Sequence, residues 1–406
     1  MRIHIVSVCV RIITDWAYLT HTGNPLRGRF GCCLTLFKLY PPCFQFIYGC
    51  EQQFYIACYV YILHIFDRCI DLCYDKGNFG KEDILMAYYK YNAVPSGTPR
   101  AVISQVQNAV VGKSDIIEQI MMAILAKGHI LVEDIPGTGK TTMALAFSHA
   151  MGLKANRVQF TPDVLPADLT GFTIYQKETG QFVYQPGSVM CNLLLADEIN
   201  RTSPKTQSAL LEVMEERHVT VDGTTRNVGN PFIVIATQNP TGSAGTQLLP
   251  ESQLDRFMIC VKMGYPTVEE EVDILKRNQF GRADTRAERV FSADKLLETQ
   301  ENVSEIYVHD VIYSYIARLA KATREQEMAA LGLSPRGTIA LTAMAKASAY
   351  LSGREYVIPD DVKAVFPAVA AHRILLSTKA KVGHILVQDL IWQILDHTPA
   401  PTISSK

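Results

Sequence analysis

The run Glu133-Asp134-Ile135-Pro136-Gly137-Thr138-Gly139-Lys140-Thr141-Thr142 follows His129-Ile130-Leu131-Val132, a short apolar segment suited to a buried parallel strand, and precedes a helix-like stretch from Met143 to Met151. Strand, glycine-rich turn and helix are the context that a phosphate-binding loop requires. Glycines let backbone N–H groups turn inward, and the helix N-terminus adds the positive end of its dipole. A lysine then reaches the outer phosphates, and the hydroxyl after it ligates Mg2+. Lys140 and Thr141 hold those two positions, and the cradle runs from Asp134 to Thr142. One departure stands out: in the pattern G-x-x-x-x-G-K-[ST], Asp134 takes the place of the first glycine. The half from Pro136 to Thr141 is intact, so the phosphate cradle is expected to survive.

Beyond the loop, Asn192-Leu193-Leu194-Leu195-Ala196-Asp197-Glu198 is an apolar strand that ends in two carboxylates. In such a pair the first carboxylate holds the metal and the second polarises a water for in-line attack on a phosphoryl group. Asp197 and Glu198 are therefore expected in one site with Lys140 and Thr141, bound to ATP and Mg2+. A third apolar strand, Phe232 to Thr237, leads into Gln238-Asn239-Pro240 and puts the Asn239 amide at the same sheet edge, where it can orient water. Arg256, in Pro250-Glu251-Ser252-Gln253-Leu254-Asp255-Arg256-Phe257, stands just before a fourth apolar run, Met258 to Val261; its sequence context alone is that of an ordinary ion-pairing residue.

On the N-terminal side of the loop lie an amphipathic stretch (Val102, Ile103, Val106, Val110), a break at Val111-Gly112 and a second helix-like run from Ile116 to Ala126. Val111 and Gly112 are assigned to nucleotide binding with the loop. Before residue 86 the character changes. Of the 10 cysteines, Cys9, Cys32, Cys33, Cys43, Cys50, Cys58, Cys69 and Cys73 crowd this part, among dense aromatics without strand or helix spacing. Cys32-Cys33 and Cys69-x-x-x-Cys73 are poor zinc spacings. Phe54 to Phe66 is 13 residues long and ends at Asp67-Arg68, short of the ~20 that span a bilayer. A membrane-associated hairpin is the second reading. The third and favoured one is an over-extended reading frame with the natural start at Met86, since Lys81-Glu82 is encodable by AAG-GAG, a ribosome-binding purine run. Cys191 and Cys260 sit in apolar strand-like surroundings and read as buried free thiols, which fits a cytoplasmic protein.

The 406 residues suffice for two or three domains at ~100–200 residues each. With 39 basic and 40 acidic residues and a net charge of −1, no overall basic field exists to hold a nucleic acid, and none is expected as partner. Toward the C-terminus Val311 to Ala322, Thr338 to Leu351 and Pro359 to Ala371 carry apolar residues at helical spacing, the last with proline and acids in its first turn. They read as a small helical bundle, with His309 and His372 as polar-face or capped residues.

From about Ser104 to Leu376 the chain resembles the MoxR group of AAA+ ATPases. The resemblance rests on Glu133 to Thr141, Leu194-Leu195-Ala196-Asp197-Glu198-Ile199-Asn200-Arg201, Ala236-Thr237-Gln238-Asn239-Pro240, Gln253-Leu254-Asp255-Arg256-Phe257 and Leu333-Ser334-Pro335-Arg336. In that family the first loop position is often not glycine. The resemblance implies an α/β AAA+ P-loop NTPase core over residues 97–264, a parallel sheet flanked by helices and carrying hairpin inserts, followed by a small all-α lid over 265–395. It implies Asn239 as sensor 1, Arg256 as an arginine finger reaching a neighbouring subunit's γ-phosphate, and Arg336 as sensor 2, acting in cis or in trans. Phe160 to Gly171 with Phe182 to Gly187, turning near Glu178-Thr179-Gly180, resembles the helix-2 insert, and His218 to Gly223 a second hairpin; both face the ring pore in relatives or are simple connections. The implied assembly is a ring, usually hexameric, and the implied work is chaperone-like remodelling or maturation of a partner, often with a von Willebrand factor A domain. A helicase-like or metal-chelatase motor shares the same motifs, but a helicase needs a nucleic-acid module and a basic pore that this sequence lacks.

Overall fold

The computed structural model describes residues 95–401, apart from 134–137, 239–248 and 280–286 and the side chains of 278 and 279. Asp134, Ile135, Pro136, Gly137 and Asn239, and the whole Cys/aromatic-rich stretch 1–85, lie outside the described residues. Val94–Lys406 forms one compact unit.

Helices α1 (Pro99–Ala109) and α2 (Ser114–Leu125) come first. The Thr98 hydroxyl accepts from the Ala101 N–H and proline fills the first turn, so α1 starts where its sequence says it should. The apolar runs then build one parallel sheet from β1 (Ile130–Glu133), β2 (Ala155–Gln159), β5 (Leu193–Asp197), β8 (Ile233–Gln238) and β9 (Ile259–Val261), in the order β2-β5-β8-β1-β9. The four strands expected from sequence all form. The edge strand β2, Ala-Asn-Arg-Val-Gln, is an addition: it is half-exposed and polar, so it carries no apolar signal.

Alternation along the strands divides the core. Ile130, Val132, Leu193, Leu195, Ile233 and Ile235 pack with α1, α2 and α3 (Lys140–Ala150). Leu131, Leu194, Ala196, Val234 and Ala236 face the other way, onto Leu210, Leu211 and Met214 of α5 (Pro204–Glu216) and onto Leu169 of α4 (Pro166–Thr170). Two antiparallel hairpins leave this layer, β3 (Gly171–Gln176) with β4 (Gln181–Pro186) and β6 (His218–Val221) with β7 (Thr224–Asn227). The Arg226 guanidinium lies 4.0 Å from the Tyr184 ring centroid and ties one hairpin to the other.

A short helix α6 (Glu251–Leu254) precedes β9, and α7 (Val268–Gln279) follows it. The chain then becomes helical: α8 (Ala293–Glu305), α9 (Asp310–Glu325), α10 (Pro335–Leu351), α11 (Pro359–Ala370), α12 (Thr378–Val382) and α13 (Val387–His397), with one small antiparallel pair, β10 (Ala329–Leu331) and β11 (Leu375–Leu376). Serines 292, 334 and 377 cap α8, α10 and α12. Leu333, Leu341, Met344, Val365 and Phe366 share one buried cluster with Ile117, Ile120 and Ile124 of α2, so the helical part has no core separate from that face of the sheet.

His309 accepts from the Val311 N–H at 3.2 Å and so caps α9. His372 departs from expectation: it lies beyond α11, its Nε2 meets the Phe257 carbonyl oxygen at 3.1 Å, and its buried Nδ1 has no hydrogen-bond partner among the described residues. Burial pushes its pKa well below the ordinary value. Burial also raises the Cys191 and Cys260 thiols, to about 11 and about 12, as their apolar strands imply. Among the described residues no helix is long and apolar enough to cross a membrane.

Candidate functional site

Every strand of the sheet points the same way, so one edge collects the C-terminal ends of β1, β5 and β8. At that edge α3 begins with Lys140, only 9% exposed, behind Gly139 at φ 87°. This left-handed backbone favours glycine, and a Cβ there would meet nothing within 4 Å among the described residues. As N-cap, Gly139 has no side chain to offer, and the positive dipole end of α3 is turned toward any anion at that place. Thr138 and Thr142 flank the same turn. Val111 and Gly112 form the turn between α1 and α2, with Gly112 at φ 70° packed against Glu270 of α7 and Lys113 paired to the same glutamate at 3.8 Å.

Thr141, Asp197, Glu198 and Thr237 meet at this edge. The Thr141 hydroxyl donates to Asp197 Oδ2 at 3.4 Å, and the Thr237 hydroxyl donates to Asp197 Oδ1 at 3.2 Å. Thr237 Oγ1 also accepts from the Glu198 N–H at 2.9 Å, so one hydroxyl orients both acidic residues. Glu198 sits at φ 56°, a left-handed conformation that a non-glycine residue adopts at a cost of about 1–3 kcal/mol. It turns the carboxylate away from the strand, and there it accepts from Gln159 at 2.9 Å and from Arg201 at 2.8 Å. Arg157 binds Asp197 Oδ2 through Nε at 2.8 Å. A hydroxyl beside a carboxylate is a hard-oxygen pair that suits Mg2+, an ion that keeps waters and phosphate oxygens for its other positions. Among the described residues no group of three or more His, Cys, Asp or Glu is placed to hold a metal.

Arg256 and Arg336 are elsewhere. The Met258 N–H bonds to the His129 carbonyl oxygen, which places Arg256 before the N-terminal end of β9, at the sheet edge opposite Lys140. A strand as short as β1 still separates its two ends by about 10 Å. Arg256 Nη1 pairs with Glu215 Oε2 at 3.2 Å, and Arg336, in the first turn of α10, pairs with Oε1 of the same carboxylate. The structure thus gathers the two arginines and keeps both from the Lys140–Asp197 cluster of their own chain.

Beneath them Arg373 is 2% exposed and spends every guanidinium donor. Nε meets Asp255 Oδ1 at 2.7 Å, Nη1 the carbonyls of Met258 and Val369, and Nη2 those of Asp255 and Phe257. Ser334, the cap of α10, donates to Asp255 as well. Burial lowers the Arg373 pKa, and the Asp255 carboxylate opposes the shift. Sequence reasoning overlooked Arg157, Gln159, Glu215 and Arg373. The first two lie on the edge strand that has no apolar pattern, and the last two take their meaning from partners far along the chain.

The ATPase family associated with various cellular activities (AAA) matches residues 129–259, and the AAA lid domain matches residues 321–391. The uncharacterized protein YeaC of Bacillus subtilis is 45% identical over 299 residues, 74% of this chain and 93% of that protein. Chaperone MoxR1 of Mycobacterium tuberculosis is 38% identical over 76% of this chain and 84% of its own length, and Protein MoxR of Methylorubrum extorquens is 30% identical over 73% and 93%. A crystal structure of a protein assigned as an ATPase from Cytophaga hutchinsonii superposes with a TM-score of 0.70 at 36% identity, covering 75% of this chain and 94% of that one.

Proposed function

Because the chain belongs to the MoxR family of AAA+ ATPases, we propose that it hydrolyses ATP to ADP and phosphate with Mg2+, as a ring-shaped assembly whose sites form between copies. The observation that carries this reading is the meeting of Thr141, Asp197, Glu198 and Thr237 at the sheet edge where α3 presents its N-terminus. Lys140 and the N–H groups of the Thr138–Thr142 turn bind the phosphates. Thr141 and Asp197 hold Mg2+, which supplies charge neutralisation on the phosphate oxygens. Glu198 polarises the attacking water, and Asn239, which follows β8, positions it.

Arg256 and Arg336 serve the site of a neighbouring copy, stabilising charge on the transferring phosphoryl group. Support comes from their common place at the edge away from their own Lys140, and Arg336 is on this reading a trans residue as much as Arg256 is. The partner acted on is a protein, with a von Willebrand factor A domain as the favoured type. Phe172, Tyr175 and Phe182 of the β3–β4 hairpin are exposed, Phe182 by 76%, which suits an apolar contact with a substrate chain in a pore.

The test is phosphate release from ATP by the purified chain over a wide range of protein concentration. Specific activity rising with concentration to a plateau, needing Mg2+ and lost in Lys140→Ala, is the expected result. No phosphate release at any concentration would refute the reading.

A further inference from the structure

Glu215 is the last residue but one of α5, and neither the loop nor the two acidic residues of the nucleotide site touches it among the interactions given above. Its two carboxylate oxygens serve different arginines: Oε2 takes Arg256 of the segment before β9, and Oε1 takes Arg336 of α10. The side chains are half-exposed, 42% for Glu215, 32% for Arg256 and 46% for Arg336. Ion pairs this wet add little to stability, so the cluster is not explained as a structural brace. Two guanidinium groups held within reach of one carboxylate repel each other; Ser334 and Arg373 hold the two backbone segments together, but among the described contacts only Glu215 bridges the guanidinium groups themselves. Each arginine spends one edge of its fork on Glu215 and keeps its remaining N–H donors.

The carrier of Glu215 is itself fixed. The Val234 N–H donates to His129 Nδ1 at 3.0 Å, so Nε2 carries the ring proton and donates it to the Met214 carbonyl oxygen, also at 3.0 Å. The end of α5 is thereby tied to β1 and β8 one residue before Glu215. From the same histidine, the backbone carbonyl binds Met258, two residues beyond Arg256.

We propose that Glu215 is a positioning residue for ATP hydrolysis, one that gathers Arg256 and Arg336 into a single pair aimed at the terminal phosphoryl group held by a second copy of this chain. The proposal rests on the reading that both arginines act in trans. A carboxylate bridging two guanidiniums sets them at a spacing that also fits two oxygens of one phosphoryl group, with donors left over on each fork to reach them.

The experiment uses the full chain at concentrations where specific activity has reached its plateau, with radiolabelled ATP for slow variants. Glu215→Ala is expected to lower kcat about tenfold, with equilibrium binding of a fluorescent ATP analogue unchanged within about twofold, because Lys140 and the loop are untouched. Glu215→Gln keeps the side-chain volume and one acceptor oxygen and should recover part of the loss; it also serves if the alanine variant folds poorly. In an Arg256→Ala/Arg336→Ala background, Glu215→Ala should cost nothing further. A further tenfold loss there, or wild-type kcat in the single variant while Arg256→Ala and Arg336→Ala are slow, overturns the proposal. Wild-type rates in both arginine variants would instead overturn the trans reading beneath it.

Discussion

Glu198 stands in a left-handed backbone conformation with its carboxylate between Gln159 and Arg201, and its neighbour Asp197 shares Oδ2 between Thr141 and Arg157. If Glu198 is the base, Glu198→Gln keeps its shape and should slow hydrolysis at least a hundredfold with ATP still bound, as read by single-turnover kinetics and by nucleotide retention on gel filtration. Hydrolysis at the wild-type rate would assign the base elsewhere. On the metal side, Arg157 and Mg2+ compete for one carboxylate oxygen. Arg157→Ala should lower the Mg2+ concentration for half-maximal activity several-fold, in a titration at fixed ATP. His129 gives a separate expectation. Burial, helped slightly by Arg217 and opposed by the bond to Met214, brings its pKa from 6.5 to about 4. The unfolded chain therefore takes up a proton between pH 6.5 and about 4 that the folded ring refuses, so stability is kept above 6.5 and lost as the pH falls through that window. The gap corresponds to about 3 kcal/mol. A histidine C2-proton NMR titration should put the His129 midpoint near 4; a midpoint near 6.5 would show the ring exposed.

Among the elements, the strands with continuous apolar runs were legible in the sequence to within a residue or two, because a strand buried on both faces has no room for polar side chains. Lys140, Thr141, Asp197 and Glu198 were legible for a related reason: their chemistry depends on a turn and a strand end that local sequence encodes. β2 escaped, as it is half-exposed and alternates without an apolar face, and with it went Arg157 and Gln159. Glu215 and Arg373 escaped because their partners lie 121 and 118 residues away, and no local pattern records such distances. Helix α10 illustrates how close those long-range contacts are. A Cβ on Gly337 would come within 2.8 Å of Arg373 Cδ and 2.9 Å of Leu333 Cγ. Since Arg373 is pinned by all its donors, it has nowhere to retreat, and Gly337→Ala should cost about 1–3 kcal/mol despite the better helix propensity of alanine, measured by urea denaturation. No loss would mean that α10 can shift along the core.

For the molecule as a whole, the charge-balanced chain presents the Lys140–Asp197 cluster at one sheet edge and, at the opposite edge, the paired arginines. Arg373→Met should destabilise by about 3–5 kcal/mol, because it leaves Asp255 with the Ser334 hydroxyl but without its cation and takes a donor from each of four backbone carbonyls, and chemical denaturation would measure it. A loss below about 1 kcal/mol would show that the contact is dispensable. The same residue settles how the helical part can move. Arg373 joins α11 to the backbone of residues 255–258, and Ser334 joins α10 to Asp255, so these helices cannot swing while the Arg256 segment stays behind. Displacement of these helices and displacement of the Arg256 segment are then one degree of freedom, and a push on either is delivered to the other through Asp255.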